Sequence, residues 1–483
     1  MGNISTILKG KVSVFVLSRY MTYGVAFIKG IFLAAVLGPY YYGIWGFIVL
    51  VSRYLAYTQM GLQNSLNVFL SSSERSDHEN ASHITSAAFV VNGIIVLILI
   101  TAAITLKALN IEIVPKYSFN KYGLLVITMA ALQHFYYLFI NIYRSYGYLF
   151  KIALTQFLLQ AALLPVIFIF KEENLIAALL WMNIFIYAFA ICIFSIRGPV
   201  RIRVNFDWTM IKAVVSRGVQ LFVYNTSYYL IMVSSRTIVS FSYEVEELGY
   251  YTFANSIAIV THMAFSTIAW VLFPKILYKL RSGTSNAKAK ALVDEIGSLC
   301  VMANFLAIFI AITFFPGLIH FLKQYEPCTS TFAFLVLTQG ILAYCFGYAH
   351  LAIARKHEMK LSLYGGITIL INVCLALLFS LVLKLPFFYV ALGTLISVIF
   401  YVIMVHKLGH SILGDPKSVF DILSGMFPVG ILVPFVVVLL GNFSRHSIYC
   451  NIVGLSLFII LNWKILINGF DRGKLIFTKP NMV

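Results

Sequence analysis

SVFVLSRYMTYGVAFIKGIFLAAVLG (13–38) is a run of 26 residues in which only Arg19 and Lys29 carry a charge. A helix needs about 20 predominantly apolar residues to cross a hydrocarbon core of about 30 Å. The run reads as a membrane span, and the chain repeats the pattern. Fourteen apolar stretches can be marked: 12–36, 41–68, 84–106, 122–143, 149–170, 175–196, 213–240, 248–273, 291–316, 329–354, 361–383, 386–406, 420–440 and 447–468. Short connections between them leave no room for a folded domain outside the bilayer. Of the 483 residues 61% are hydrophobic and 11% charged, whereas a soluble domain carries about 25% charged residues. The expected class is an all-α integral membrane protein of about 14 transmembrane helices. No small-residue cleavage site follows the first run, so it reads as a retained helix, not a removed signal peptide.

Lysine and arginine counts set the orientation. With the N-terminus in the cytoplasm, inside connections hold 22 of them, outside connections 7 and the apolar stretches 6, which accounts for all 35. Cytoplasmic loops carry the excess of Lys and Arg in membrane proteins, so a multi-pass protein with both termini in the cytoplasm is expected. The same spread over many short loops explains the net charge of +18 better than nucleic-acid binding does. The six cysteines lack CxxC or CxxxH spacing, and no GxxxxGK[ST] phosphate loop occurs. No metal, cofactor or catalytic residue is expected.

The six cations inside apolar stretches are Arg19, Lys29, Arg53, Arg217, Arg236 and Lys464, while all 17 Asp and Glu lie in the polar breaks or at their margins. A lone cation in hydrocarbon costs at least about 2.5–3.5 kcal/mol. With no carboxylate beside these groups, the simplest partner is an anion from outside the protein.

A repeat gives these cations a setting. VLGPYYYGIW (36–45) follows the first span, and ELGYYTFAN (247–255) follows the seventh, with an offset of 211 residues from Leu37 to Leu248. Each is Leu-Gly followed by tyrosines, opening a helix on the outer side. Six spans separate the copies, so the halves share topology and are related about the membrane normal. The alternative is turn chemistry within an aromatic belt at headgroup depth. The repeat divides the chain into a six-helix lobe at 1–204, a second at 205–412, and two further helices with a tail at 413–483.

LGPYYYGIWGFIVLVSRYLAYTQMGLQNSLNVFL (37–70) resembles the first-hairpin pattern of the polysaccharide-repeat-unit (Wzx-type) flippases, which belong to the multidrug/oligosaccharidyl-lipid/polysaccharide exporter (MOP) superfamily. RGVQLFVYNTSYYLIMVSSRTIVSFSYEVEELGYYTFANSIAIVTHMAFSTIAWVLFPKI (217–276) resembles the seventh- and eighth-span signature, with Arg236, Leu248-Gly249-Tyr250-Tyr251 and Pro274 at matching positions. Ser235 stands where many relatives carry Asp, which removes a candidate ligand for a coupling ion. The resemblance implies two six-helix lobes with MATE-like alternating access. It also implies a substrate, an oligosaccharide on undecaprenyl diphosphate such as an O-antigen repeat unit of lipopolysaccharide. That substrate would pass from the cytoplasmic to the periplasmic leaflet of a bacterial inner membrane. A polysaccharide polymerase and a chain-length regulator are the implied protein partners.

The candidate substrate-binding residues are Arg19, Lys29, Arg53, Asn64, Arg217, Gln220, Tyr224, Tyr228 and Arg236. Arg53 lies twelve residues into its span, about 18 Å along a helix, too deep for snorkelling to either surface. Tyr57 lies one turn further on, and Gln63, Asn64 and Asn67 continue a polar track; helix-packing hydrogen bonds are the alternative use of that track. Arg217 starts a stripe with Gln220, Tyr224, Ser227 and Tyr228, suited to sugar stacking and to a guanidinium–diphosphate fork. Otherwise Arg217 is a positive-inside residue. Arg19 and Lys29 face a cavity or snorkel. Arg236 meets substrate or pairs with Glu244, Glu246 or Glu247. Lys464, beside Trp463, reads as an interfacial anchor. Asp294 and Glu295 read as capping the ninth span against its dipole, with a coupling site as the alternative. Two other functions compete. A polysaccharide polymerase would need a large outer loop, and the longest here is 107–121. A multidrug or cation antiporter would need a carboxylate within a span.

Overall fold

In the computed structural model the described residues are 2–72, 78–111, 114–196, 198–202, 206–280, 284–442 and 447–468; they are overwhelmingly helical and contain no strand. The chain forms two compact units, Met1–Thr226 with Glu244–Gly249, and Ser227–Tyr243 with Tyr250–Val483.

The first unit is built from α1 (Gly2–Tyr57), α2 (Leu62–Ser72), α3 (His78–Ala108), α4 (Phe119–Ser145), α5 (Leu149–Ala161), α6 (Leu163–Ile169), α7 (Glu172–Ser195) and the first half of α8 (Trp208–Ser242). The second takes the rest of α8, most of α9 (Val245–Lys279), α10 (Asn286–Phe321), α11 (Thr329–Ala343), α12 (Cys345–Ala354), α13 (Glu358–Leu377), α14 (Phe388–Leu413), α15 (Val419–Met426), α16 (Val429–Asn442) and α17 (Ser447–Leu461). Each of the fourteen apolar stretches falls on one helix or on helices separated by a short break. Among the described residues nine helices are long and apolar enough to cross a membrane, or eleven when each of two bent pairs is one span. The larger number from the sequence arises because α1 carries two stretches, while α8 and α9 are not among the eleven. The bent pairs are α11–α12, at 42°, and α15–α16, at 63°.

The Leu-Gly-Pro of the opening motif is a kink. Gly38 sits at φ 65° and ψ 172° inside α1, a conformation open to glycine and strained for other residues. Pro39 then starts the second arm, where its missing N–H would have had no partner. The glycines also carry the repeat into three dimensions. A β-carbon on Gly249 would lie 2.1 Å from the Pro39 carbonyl oxygen, and one on Gly43 would lie 2.0 Å from that of Val245. Within the first unit the two LG-x-Y copies therefore cross with their backbones in contact, which only small residues permit. The motif is a helix crossing as well as a turn.

Aromatic packing fills the rest of the first unit. Tyr136, Tyr143 and Phe194 are buried between α4 and α7, with the Tyr143 hydroxyl donating to the Phe194 carbonyl at 2.6 Å. On the loop between α3 and α4, Tyr117 stacks on Phe47 with ring centroids 4.1 Å apart. Burial there, with the Glu244 carboxylate adding to it, pushes the Tyr117 hydroxyl well above its ordinary range. In the second unit Phe315 stacks on Phe332 at 3.8 Å, joining α10 to α11.

Candidate substrate-binding residues

The second arm of α1 ends at Tyr57, and a tight turn at 58–61 leads into α2. A helix that breaks inside a bilayer frees carbonyls that must find donors in the protein. His134 of α4 supplies one, its Nε2–H donating to the Leu55 carbonyl at 2.8 Å. The Gln59 amide donates to Asn92 Oδ1 at 3.1 Å and to the His134 carbonyl at 2.8 Å. All three side chains are buried. Gln59, Asn92 and His134 thus pin the turn to α3 and α4, and the ring of His134 is engaged in packing.

The far side of the turn rests on α8. Gly61 has φ +76°, and a β-carbon there would lie 2.2 Å from the Gly218 carbonyl oxygen. The Tyr57 ring meets Phe222 edge-on at 6.2 Å. Contact at Gly218 brings Arg217 and Gln220 beside the turn that links Arg53, one helical turn earlier, to Asn64 in α2. Arg53 is exposed and makes no hydrogen bond or ion pair with a described residue, although its charge reaches the Tyr187 hydroxyl on α7. Arg217 and Gln220 are exposed as well, and the Arg217 guanidinium donates to Gln220 Oε1 at 3.2 Å. Asn64 is half-buried. Asn67, which continued the polar track in the sequence, donates instead to Asn141 of α4.

The other candidates lie apart. Arg19 sits 5.5 Å from the centroid of the Phe15 ring and 6.0 Å from that of Tyr23, a cation–π clamp on one helix. Lys29 donates to Gln160 Oε1 of α5 at 2.7 Å, so a neutral amide holds its ammonium. The side chains of Tyr224 and Tyr228 lie outside the described residues.

In the second unit Arg236 donates to Thr252 Oγ1 at 3.4 Å. Glu246 and Glu247, read as loop residues, instead form the acidic first turn of α9, where negative charge suits the helix dipole. Next to Arg236, Ser235 is fully buried in a neutral network. Its hydroxyl lies 2.7 Å from Thr394 Oγ1 and 2.8 Å from the Asn372 amide, which also donates to the Ile231 carbonyl at 3.0 Å. Truncating Asn372 leaves buried groups without their donor. Asn372→Ala is expected to cost about 1–3 kcal/mol, read as a lower thermal midpoint of the solubilised protein; an unchanged midpoint would show the network to be dispensable.

Asp294 and Glu295 require a correction. α10 begins at Asn286, so the two carboxylates lie more than two turns inside the helix and cap nothing. The helix starts earlier because NAKAKALVDE (286–295) continues the helical phase through polar residues that reach beyond the apolar stretch. Sequence reading also passed over HKLGH (406–410), whose i, i+4 spacing puts two imidazoles on one face of α14.

Solved structures share this architecture at low identity. The lipid II flippase MurJ in an inward closed conformation matches with a TM-score of 0.70 at 15% identity, over 96% of this chain and 99% of that one. A multidrug resistance MATE family transporter of the MOP superfamily matches in its inward-facing conformation with a TM-score of 0.64 at 14% identity, over 83% of this chain and 98% of that one. The outward-facing conformation of such a transporter gives 0.59 at 15% identity, over 84% and 95%. The chain shares the fold of these proteins. No curated protein sequence matches the chain. The model of the polysaccharide biosynthesis protein family matches residues 32–289, more than half of the chain, and the chain belongs to that family.

Proposed function

We propose that this protein is a flippase, not an enzyme, and that it moves undecaprenyl-diphosphate-linked oligosaccharide repeat units from the cytoplasmic to the periplasmic leaflet. In this reading 1–204 and 205–412 are the two six-helix lobes of an alternating-access transporter driven by an ion gradient, and 413–483 adds two helices. The protein lies in a bacterial inner membrane with both termini cytoplasmic. A polymerase and a chain-length regulator act on what it delivers. The observation that carries the reading is Arg53, a guanidinium one turn from the end of the second arm of α1 that is exposed and has no hydrogen-bond or ion-pair partner among the described residues. Facing lipid, such a group is costly; facing water, it is an open site for an anion. Arg217 and Gln220 beside the same turn supply a second fork and an amide, the chemistry that a diphosphate followed by a sugar requires.

The test is leaflet transfer of a labelled undecaprenyl-diphosphate oligosaccharide by the full chain in liposomes, with and without a proton or sodium gradient. Transfer that needs the protein and speeds up with a gradient is the expected result. Absence of transfer under every gradient overturns the reading. A deletion strain separates the polymerase alternative: loss of a flippase traps repeats inside the cell, whereas loss of a polymerase leaves single repeats on its surface.

A further inference from the structure

A cavity of about 370 Å³ opens within the second unit, walled by α10, the α11–α12 bend, α14 and α15. Into it project two imidazoles, two tyrosines, Asp294, Lys417 and Asp421. Their hydrogen bonds form a directed chain. His410, 3% exposed, has its Nε2 3.1 Å from the Tyr348 hydroxyl oxygen. That hydroxyl donates to Asp294 Oδ1, also at 3.1 Å. A hydroxyl has one proton; with it given to the carboxylate, the Tyr348 oxygen must accept from His410 Nε2–H. The neutral ring is thereby fixed as the Nε2–H tautomer. Its other nitrogen, Nδ1, then holds a lone pair that is buried and has no hydrogen-bond partner among the described residues.

We infer that Asp294, Tyr348 and His410 form a proton-binding site, with Nδ1 of His410 as the acceptor atom. A proton arriving there turns the ring into an imidazolium, and the charge is answered through the Tyr348 hydroxyl by Asp294. Asp294 is itself exposed. His406, one turn away on α14, is held differently, its Nε2–H donating to the Tyr344 carbonyl at 3.0 Å at the α11–α12 bend.

The surrounding charges leave Asp294 as the counter-charge. From α10, Lys290 is bonded to Asp415 of the α14–α15 loop, and the two neutralise each other; this ion pair holds the Asp415 carboxyl below its usual range. Lys417 of that loop opposes a second positive charge and Asp421 of α15 lies across the cavity from it. The titratable side chains of α13, which also packs on α14, include Glu358, Lys360 and Tyr364. The site joins three helices, α10, α12 and α14, one of them a member of a bent pair, so its charge state bears on how they pack. As the place where a proton gradient drives transport, it rests on the flippase reading; as a proton site it does not.

The site is tested on the full chain in nanodiscs carrying ¹⁵N-histidine, with the His410 signals assigned through His410→Gln. The expected record is an Nε2–H tautomer at alkaline pH that takes up a proton at Nδ1 as the pH falls. Asp294→Asn and Tyr348→Phe each displace that titration to lower pH, because the imidazolium loses its counter-charge or the link to it. Variants are compared only where their thermal midpoints match the parent. A ring that starts as the Nδ1–H tautomer, stays neutral throughout, or titrates identically in parent and variants overturns the proposal. In the liposome assay, His410→Gln is expected to lose the acceleration given by a proton gradient while retaining gradient-free transfer. Retained acceleration rejects the coupling role. No transfer by the parent rejects the flippase reading instead and leaves the nanodisc result standing.

Discussion

Replacing Arg53 and Arg217 together by alanine is expected to slow transfer of a labelled undecaprenyl-diphosphate oligosaccharide by about 100-fold or more. A hydrogen bond to a charged group contributes about 1.5–3 kcal/mol, so losing two guanidinium forks removes about 3 kcal/mol or more. Each 1.4 kcal/mol is a factor of ten. Neither side chain has a structural bond among the described residues whose loss would unfold the protein: Arg53 makes none, and Arg217 bonds there only to exposed Gln220. The double variant should therefore keep its thermal midpoint while losing transfer. Lysine at both positions should restore part of the rate, because it keeps the charge without the planar fork. Lys464→Ala is the matching control, since that lysine is exposed beside Trp463 near the chain's end. Equal transfer rates in the parent and the Arg53/Arg217 double variant would remove the cationic site from the mechanism.

The second large effect is on folding. Gly249→Leu is expected to destabilise the protein by about 3 kcal/mol, the upper part of the range for overpacking a tight contact. The β-carbon alone would stand 2.1 Å from the Pro39 carbonyl oxygen, and both partners are helix backbone that cannot turn aside as a side chain would. Gly43→Leu should behave alike, with its β-carbon 2.0 Å from the Val245 carbonyl oxygen. Gly24 provides the comparison: a β-carbon on it meets nothing within 4 Å, so Gly24→Ala should leave stability unchanged or slightly raised. Thermal midpoints by size-exclusion of the solubilised protein decide the matter. A Gly249→Leu midpoint equal to that of Gly24→Ala would mean the crossing is looser than its geometry indicates.

Much of the architecture was legible because a bilayer leaves a chain few options. Long apolar runs must be helices there, since every backbone N–H and C=O needs a partner and water supplies none. The bend at Gly38-Pro39 and the repetition of LG-x-Y were likewise visible as local chemistry, whereas the contact between the two copies was not. Single side chains were less legible. Lys29 and Arg53 look alike in a hydropathy profile, yet Lys29 is held by Gln160 and Arg53 is exposed without such a bond. Asn67 looked like part of one polar track with Gln63 and Asn64, while Gln59 drew no reading. They are instead spoken for by Asn141 and by Asn92 with the His134 backbone.

Asp294 marks the division most plainly. Counting residues from an apolar boundary made it a helix cap, because hydropathy locates the hydrocarbon edge and not the first hydrogen-bonded turn. By itself the sequence determined that this protein is a bundle of membrane helices and that it carries the Leu-Gly-tyrosine motif twice. Those properties follow from composition and period, which act one segment at a time. Tertiary structure alone decided which cations keep their charge uncompensated, which glycines carry a backbone crossing, and that Asp294, Tyr348 and His410 share one chain of hydrogen bonds. The donors and acceptors of that chain lie 54 and 62 residues apart, and no local pattern records a contact made only when three helices pack.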